Sequence, residues 1–209
     1  MKHVLACVIA SLPAALGAHP HIFVDSAVEL GLNDAAEVVS ATVSWTYDDF
    51  TTLLILEDLG MDADGDGVLT AEESARLVGF DLIEWPEGFE GDLYLEHLGD
   101  KVTMAHPVPV SAALIDGRIT AVHQRDVPAV PAAGLVLRQY DPTYYVAYTL
   151  TGGVTLPAPC RADITPPDPT EAEAALQDAL EMPPEDQFEV LQLGIHYAEE
   201  VRVTCDGSS

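Results

Sequence analysis

Positive charge is what this chain has least of. Eight Lys and Arg stand against 35 Asp and Glu in 209 residues, a formal net charge of -27. No nucleic-acid partner is expected, because a binder must neutralise phosphates with clustered cations. Docking on anionic lipid is disfavoured for the same reason. Cysteine is scarce too, at three residues, and no C-x-x-C pair offers the thiolates of a zinc site. Catalytic signatures are missing: there is no G-x-S-x-G elbow, H-E-x-x-H, glycine-rich phosphate loop or nucleophilic-cysteine pattern. No stretch reaches the ~20 apolar residues that span a bilayer, so no direct membrane insertion is expected. These absences point to a non-enzymatic protein whose surface attracts cations.

What is present begins with a targeting segment. Lys2, the apolar run 4–16 and the small-residue exit Leu16-Gly17-Ala18 read as a signal peptide over residues 1–18. The rest, 19–209, is then periplasmic or secreted and soluble. Its 48% apolar share suffices for a core, and its length suits a single domain. Cys7 leaves with the signal. Cys160 and Cys205 remain and, in an oxidising compartment, are expected to form a disulfide.

Hydropathy alternates with period two over 21–32 and 38–47, with Asn33-Asp34 as the turn, which predicts a β-hairpin. From Asp49 the period becomes helical through Phe50, Leu53, Leu54, Leu56 and Leu59, with Asp48 or Asp49 as N-cap. A second helical run passes through Ala75, Leu77, Val78 and Leu82. Short strands are predicted at 93–95, 102–105, 108–115, 119–122, 135–139, 144–150 and 201–205. The Pro-rich stretch 157–169 reads as a surface crossing, and Thr170 with Glu173 as a capping box opening a helix to Met182. The fold class is therefore α+β: a β-rich, sandwich-like body with a helix-loop-helix inserted at 48–85 and a C-terminal helical segment.

The loop of that insertion carries the strongest chemical signal. Residues 62–73 fit the twelve-residue EF-hand calcium loop. Asp62, Asp64 and Asp66 supply carboxylates at positions 1, 3 and 5. Gly67 permits the turn at 6, the Val68 carbonyl serves at 7, Thr70 acts at 9, and Glu73 gives the bidentate pair at 12. A large hard cation takes about seven oxygens, several of them charged, and this set provides them. In so acidic a chain the competing reading is an ordinary acidic surface loop. At these residue frequencies the same coincidence arises by chance in about one such chain in a thousand. No second loop of this kind is present.

A second candidate is His19-Pro20-His21, at or one residue inside the processed terminus. Two imidazoles there suit nickel, cobalt, copper or zinc. The square-planar amine-amide site is excluded because Pro20 has no amide proton. The competing reading is two polar residues opening a strand. The aromatic-acid clusters 45–50 and 140–145 read first as packing at a strand-helix junction and at a turn.

Taken together, His19-Pro20-His21-Ile22-Phe23-Val24-Asp25, Trp45-Thr46-Tyr47-Asp48-Asp49-Phe50, the 62–73 loop, Tyr140-Asp141-Pro142-Thr143-Tyr144 and Val203-Thr204-Cys205 resemble a bacterial periplasmic family of unknown function. That family is catalogued as the periplasmic component of an uncharacterised ABC-type transport system and is often encoded beside nickel/cobalt exporters. The resemblance implies a role in metal homeostasis or transport, with a membrane metal transporter as partner. The expectation is a calcium-binding accessory to transition-metal transport. The alternative is a calcium-stiffened adhesion or assembly module, and behind it a hydrolase with an unrecognised site.

Overall fold

The computed structural model describes residues 20–86, 88–180 and 192–206. The expected signal segment, residues 1–18, and His19 lie outside the described residues, as does the expected helix end at Met182. Two five-stranded sheets form the body. The first has the order β5-β6-β2-β1-β8 and the second β4-β3-β7-β10-β9. The strands of the first are β1 (Ile22–Leu32), β2 (Glu37–Tyr47), β5 (Val108–Ile115), β6 (Arg118–Pro131) and β8 (Val146–Thr155). Those of the second are β3 (Leu93–His97), β4 (Asp100–Val102), β7 (Leu135–Gln139), β9 (Cys160–Thr165) and β10 (Glu200–Cys205). All pairings are antiparallel except β1 with β8, which is parallel.

The main core draws on both sheets: Val24, Val28, Leu30, Val43 and Trp45 from the first, Leu93, Leu95, Leu135, Leu137 and Val201 from the second. Alternation in β1 and β2 sends these residues inward and their polar neighbours out, which is why the hairpin was predictable. A second apolar cluster lies under the inserted helices. Leu56, Met61 and Leu77 pack there against Ala112, Ile119 and Ala121 of β5 and β6.

Helix α1 (Asp49–Leu59) begins where expected. The Asp48 carboxylate caps it, accepting from the Thr51 N–H at 2.8 Å and the Thr51 hydroxyl at 2.7 Å. These bonds hold the Asp48 carboxyl below the usual range despite partial desolvation. Asp48 also accepts from the Phe23 N–H at 2.9 Å, tying the helix start to β1. Gly60, at φ 59°, ends the helix in the left-handed conformation that glycine adopts without strain.

Several boundaries differ from expectation. Helix α2 (Ala71–Leu77) stops five residues before Leu82 because Val78 is extended, and a short 3-10 turn, Phe80–Leu82, follows. The strand expected at 102–105 is Asp100–Val102. Strand β6 runs to Pro131, nine residues beyond the expected end. Strand β8 starts at Val146 and continues to Thr155. The stretch expected to be a surface crossing contains β9, an edge strand with largely exposed side chains. Helix α3 (Pro169–Leu180) is capped by Asp168, whose carboxylate accepts from the Thr170 N–H at 2.8 Å and hydroxyl at 2.7 Å. Thr170 is thus inside the helix, and Pro169 occupies the first position, where a missing N–H costs nothing.

Cys160 and Cys205 are bonded to each other, 45 residues apart in sequence and directly opposite in the β9–β10 register. No helix among the described residues is long and apolar enough to cross a membrane.

Candidate metal centre

The acidic loop hangs between two helices that are fixed independently to the first sheet. Leu56 of α1 and Leu77 of α2 are buried in one cluster, and the Thr52 hydroxyl accepts from the buried Ile119 N–H at 3.0 Å. The loop ends are therefore anchored before any ion is considered. Within it, Asp62, Asp64 and Asp66 bring one carboxylate oxygen each to within 4.8 Å of one another. Among the described residues this is the one group of three or more His, Cys, Asp or Glu side chains that converges at metal-binding distances. The adjoining cavity, about 400 Å³, is lined by Asp64, Asp66, Val68, Thr70 and Glu73. Five of the six candidate ligands thus line it, and Asp62 adjoins it through the carboxylate triplet.

Local hydrogen bonds shape the loop. Gly67, at φ 75°, turns the chain so that its N–H points at both oxygens of Asp62, each at 3.2 Å. The Asp66 carboxylate accepts from the Val68 N–H at 2.8 Å. Glu73 is doubly engaged. One oxygen accepts from the Thr70 N–H at 2.8 Å and hydroxyl at 2.7 Å, and the other from the Asp62 N–H at 3.0 Å. The Thr70 side chain in turn accepts from the Glu73 N–H, which completes a capping box at the start of α2. The bonds from Thr70, followed by that from Asp62, hold the Glu73 carboxyl below the usual range. Glu73 thus caps α2 with both carboxylate oxygens hydrogen-bonded, and it lines the cavity without joining the converging group of Asp62, Asp64 and Asp66.

The donor set fits a hard divalent cation. It offers clustered carboxylates, a hydroxyl and a carbonyl, with no nitrogen or sulfur. Asp62, Asp64, Asp66, Val68, Thr70 and Glu73 are the residues that would hold it.

The histidines are not gathered in the same way. His19 lies outside the described residues. His21 is exposed just before β1, its ring 4.9 Å from that of Tyr145 and its N–H donating to the Tyr145 carbonyl at 2.9 Å. His97 contacts the Ala133 carbonyl and His106 that of Pro107. None of these belongs to a converging ligand group among the described residues.

Two buried polar assemblies escaped the sequence reading. His123 of β6 is fully buried, edge-on to Trp45 at 4.7 Å, with Nδ1 3.8 Å from Asp81 Oδ2. That separation is too long for a hydrogen bond, and neither atom has a protein partner. Burial disfavours charge on both. It raises Asp81 and, with the neighbouring Arg125, lowers His123 to about 4, so this is a contact and not an ion pair. Arg125, also buried, donates to the carbonyls of Ala105, Met104 and Glu90 under the Trp85 ring. The second assembly is Asp92, which accepts from the Tyr148 hydroxyl at 2.9 Å. Burial raises Asp92 to about 7, partly opposed by that hydrogen bond.

These two groups pull stability in opposite directions with pH. Asp92, raised from 3.8 to about 7, stabilises the fold fully below its unfolded value and loses that contribution as pH rises toward 7. His123, lowered from 6.5 to about 4, stabilises above its unfolded value and loses that contribution as pH falls toward 4. Between about 4 and 6.5 the Asp92 and His123 slopes oppose each other, each about 1.4 kcal/mol per pH unit, and Asp81, also raised by burial, acts in the same sense as Asp92. Relative to the wild type, Asp92→Asn should therefore gain stability with rising pH over this window, and His123→Gln lose it. Urea titrations at four pH values would check this, and parallel profiles for both variants would refute it.

The fold and loop define a β-rich two-sheet protein bearing a helix-loop-helix with a clustered acidic loop. The chain belongs to the family described as "Protein of unknown function (DUF1007)", whose sequence model matches residues 4–205. No curated protein matches it.

Proposed function

We propose that this is a non-enzymatic, periplasmic calcium-binding protein with one EF-hand site at 62–73, acting as an accessory to transition-metal transport. The observation that supports the calcium site is the convergence of Asp62, Asp64 and Asp66 beside a cavity lined by Thr70 and Glu73. Calcium is favoured over magnesium because a flexible cage rich in carboxylates suits the larger, more easily dehydrated ion. A solitary loop on a packed sheet acts structurally: the cation relieves repulsion among the carboxylates and fixes α1 relative to α2. The expected Kd is ~10⁻⁴–10⁻³ M, as in extracellular modules. The signal segment and disulfide support the compartment.

The transport role rests on the family resemblance and on His19 and His21, which would offer nitrogen ligands to nickel, cobalt, copper or zinc. A membrane metal transporter is the partner this reading implies.

Thermal unfolding with and without calcium tests the site. At 100 times Kd, calcium should add about 2.7 kcal/mol to stability. Asp64→Ala is the informative variant, because Asp64 is exposed and its side chain makes no hydrogen bond to the described residues, so it should abolish the response while keeping the ion-free stability. Glu73→Ala would also remove the α2 capping box and so confuse ligand loss with cap loss. A wild-type protein whose melting is unchanged at about 100 mM calcium, 100 times the weaker expected Kd, would overturn the proposal.

A further inference from the structure

Helix α1 carries apolar side chains on every side, yet only one side is covered. Thr51, Thr52 and Leu56 are buried, and Ile55 and Leu59 are partly covered by the same cluster. Phe50, Leu53 and Leu54 face outward, 66%, 64% and 45% exposed. At spacings of three and four residues they make one continuous apolar strip. A helix that is apolar all round is ordinarily buried all round, so this face is short of a partner. The strip has acidic ends. Asp49 precedes it, and Glu57 and Asp58 follow one turn later, all exposed. The last turn of α1 has no basic residue, which leaves the negative end of the helix dipole next to two carboxylates. Arg76, from α2, donates to the Leu59 carbonyl there.

We propose that the outer face of α1 docks a cationic amphipathic segment of a partner protein. Its apolar side chains seat on Phe50, Leu53 and Leu54, and its Lys or Arg residues meet Glu57 and Asp58. Charge selects this occupant. A second copy of the chain would bring another net charge of -27 and the same acidic ends against the strip. The inference does not depend on what the 62–73 loop binds, because the strip lies on a helix held by its own buried residues.

Fluorescence anisotropy with a labelled Leu/Lys amphipathic peptide of about five helical turns tests it. The wild-type protein should bind this peptide, and a Leu/Glu peptide of the same pattern should not. The triple variant Phe50→Ser, Leu53→Ser, Leu54→Ser keeps every acid and should bind about tenfold more weakly or worse. Circular dichroism checks that it folds. A second variant, Glu57→Gln with Asp58→Asn, keeps the strip and should weaken binding more than Glu171→Gln with Glu173→Gln, which neutralises two exposed acids on α3. Equal affinity for the wild type and the triple variant would mean that net charge alone attracts the peptide, and the proposal would fall. It would also fall if the wild type sediments as a dimer that the triple variant dissociates, since the occupant would then be a second copy.

Discussion

Replacing Arg125 by Met should cost the fold about 2–4 kcal/mol, measured as a drop in the urea midpoint at unchanged slope. The guanidinium is buried at the boundary between the main core and the cluster beneath the helices. It donates to Ala105, Met104 and Glu90 carbonyls, which belong to two different loops. Methionine fills similar volume but donates nothing, so the carbonyls lose their partners, and the buried Met104 carbonyl has little access to water. Trp85 loses the cation over its ring as well. Arg125→Lys should recover little of this, because one ammonium cannot reproduce a planar fork that meets three acceptors. A loss under about 1 kcal/mol for the Met variant would show that the loops hold without Arg125.

The second large effect is expected at the disulfide. Cys160→Ser with Cys205→Ser should lower stability by about 3–4 kcal/mol, because the bridge restricts a loop of 45 residues in the unfolded chain. The C-terminal strand and the region bearing α3 depend on it most. β9 is an edge strand that pairs only with β10, so loss of the bridge should let it exchange amide hydrogens first. Indistinguishable urea midpoints for wild type and the double variant would contradict this.

How far the sequence revealed this molecule depended on which face a residue used. The 22–47 hairpin was legible because inward positions are apolar and outward ones polar, and the start of α1 because an Asp48-Asp49 pair stands where the period changes; the structure makes Asp48 the cap. β6 was cut short at Val122 because the next inward residues, His123 and Arg125, are polar, which hides the strand's true alternation. Pro128 obscured it further. It is accommodated where the β2–β6 register shifts between Val38 and Ser40, at a place where a missing N–H does no harm. β9 was hidden by the prolines around it and by its exposed side chains: an edge strand buries too little to leave a pattern.

The carboxylate triplet of the candidate loop was legible, since the placing of Asp62, Asp64 and Asp66 is a matter of local spacing and needs no tertiary information. The same holds for the cysteine pair, where there were no competing partners. The Asp81–His123 contact and the Asp92–Tyr148 bond were not legible, because each joins residues more than forty positions apart whose types carry no signal alone. Phe50 marks a different limit. Its place in the 45–50 aromatic-acid cluster predicted a packed residue, but the strip it belongs to faces solvent. Periodicity shows that a helix is apolar, not which of its faces the fold covers.

The central claim is that 62–73 binds calcium, and direct titration calorimetry of the processed protein with calcium chloride tests it most simply. The expected result is one ion per chain, with Kd between about 10⁻⁴ and 10⁻³ M, and no binding to Asp64→Ala. Absence of heat at millimolar calcium, or equal binding by wild type and Asp64→Ala, would contradict it.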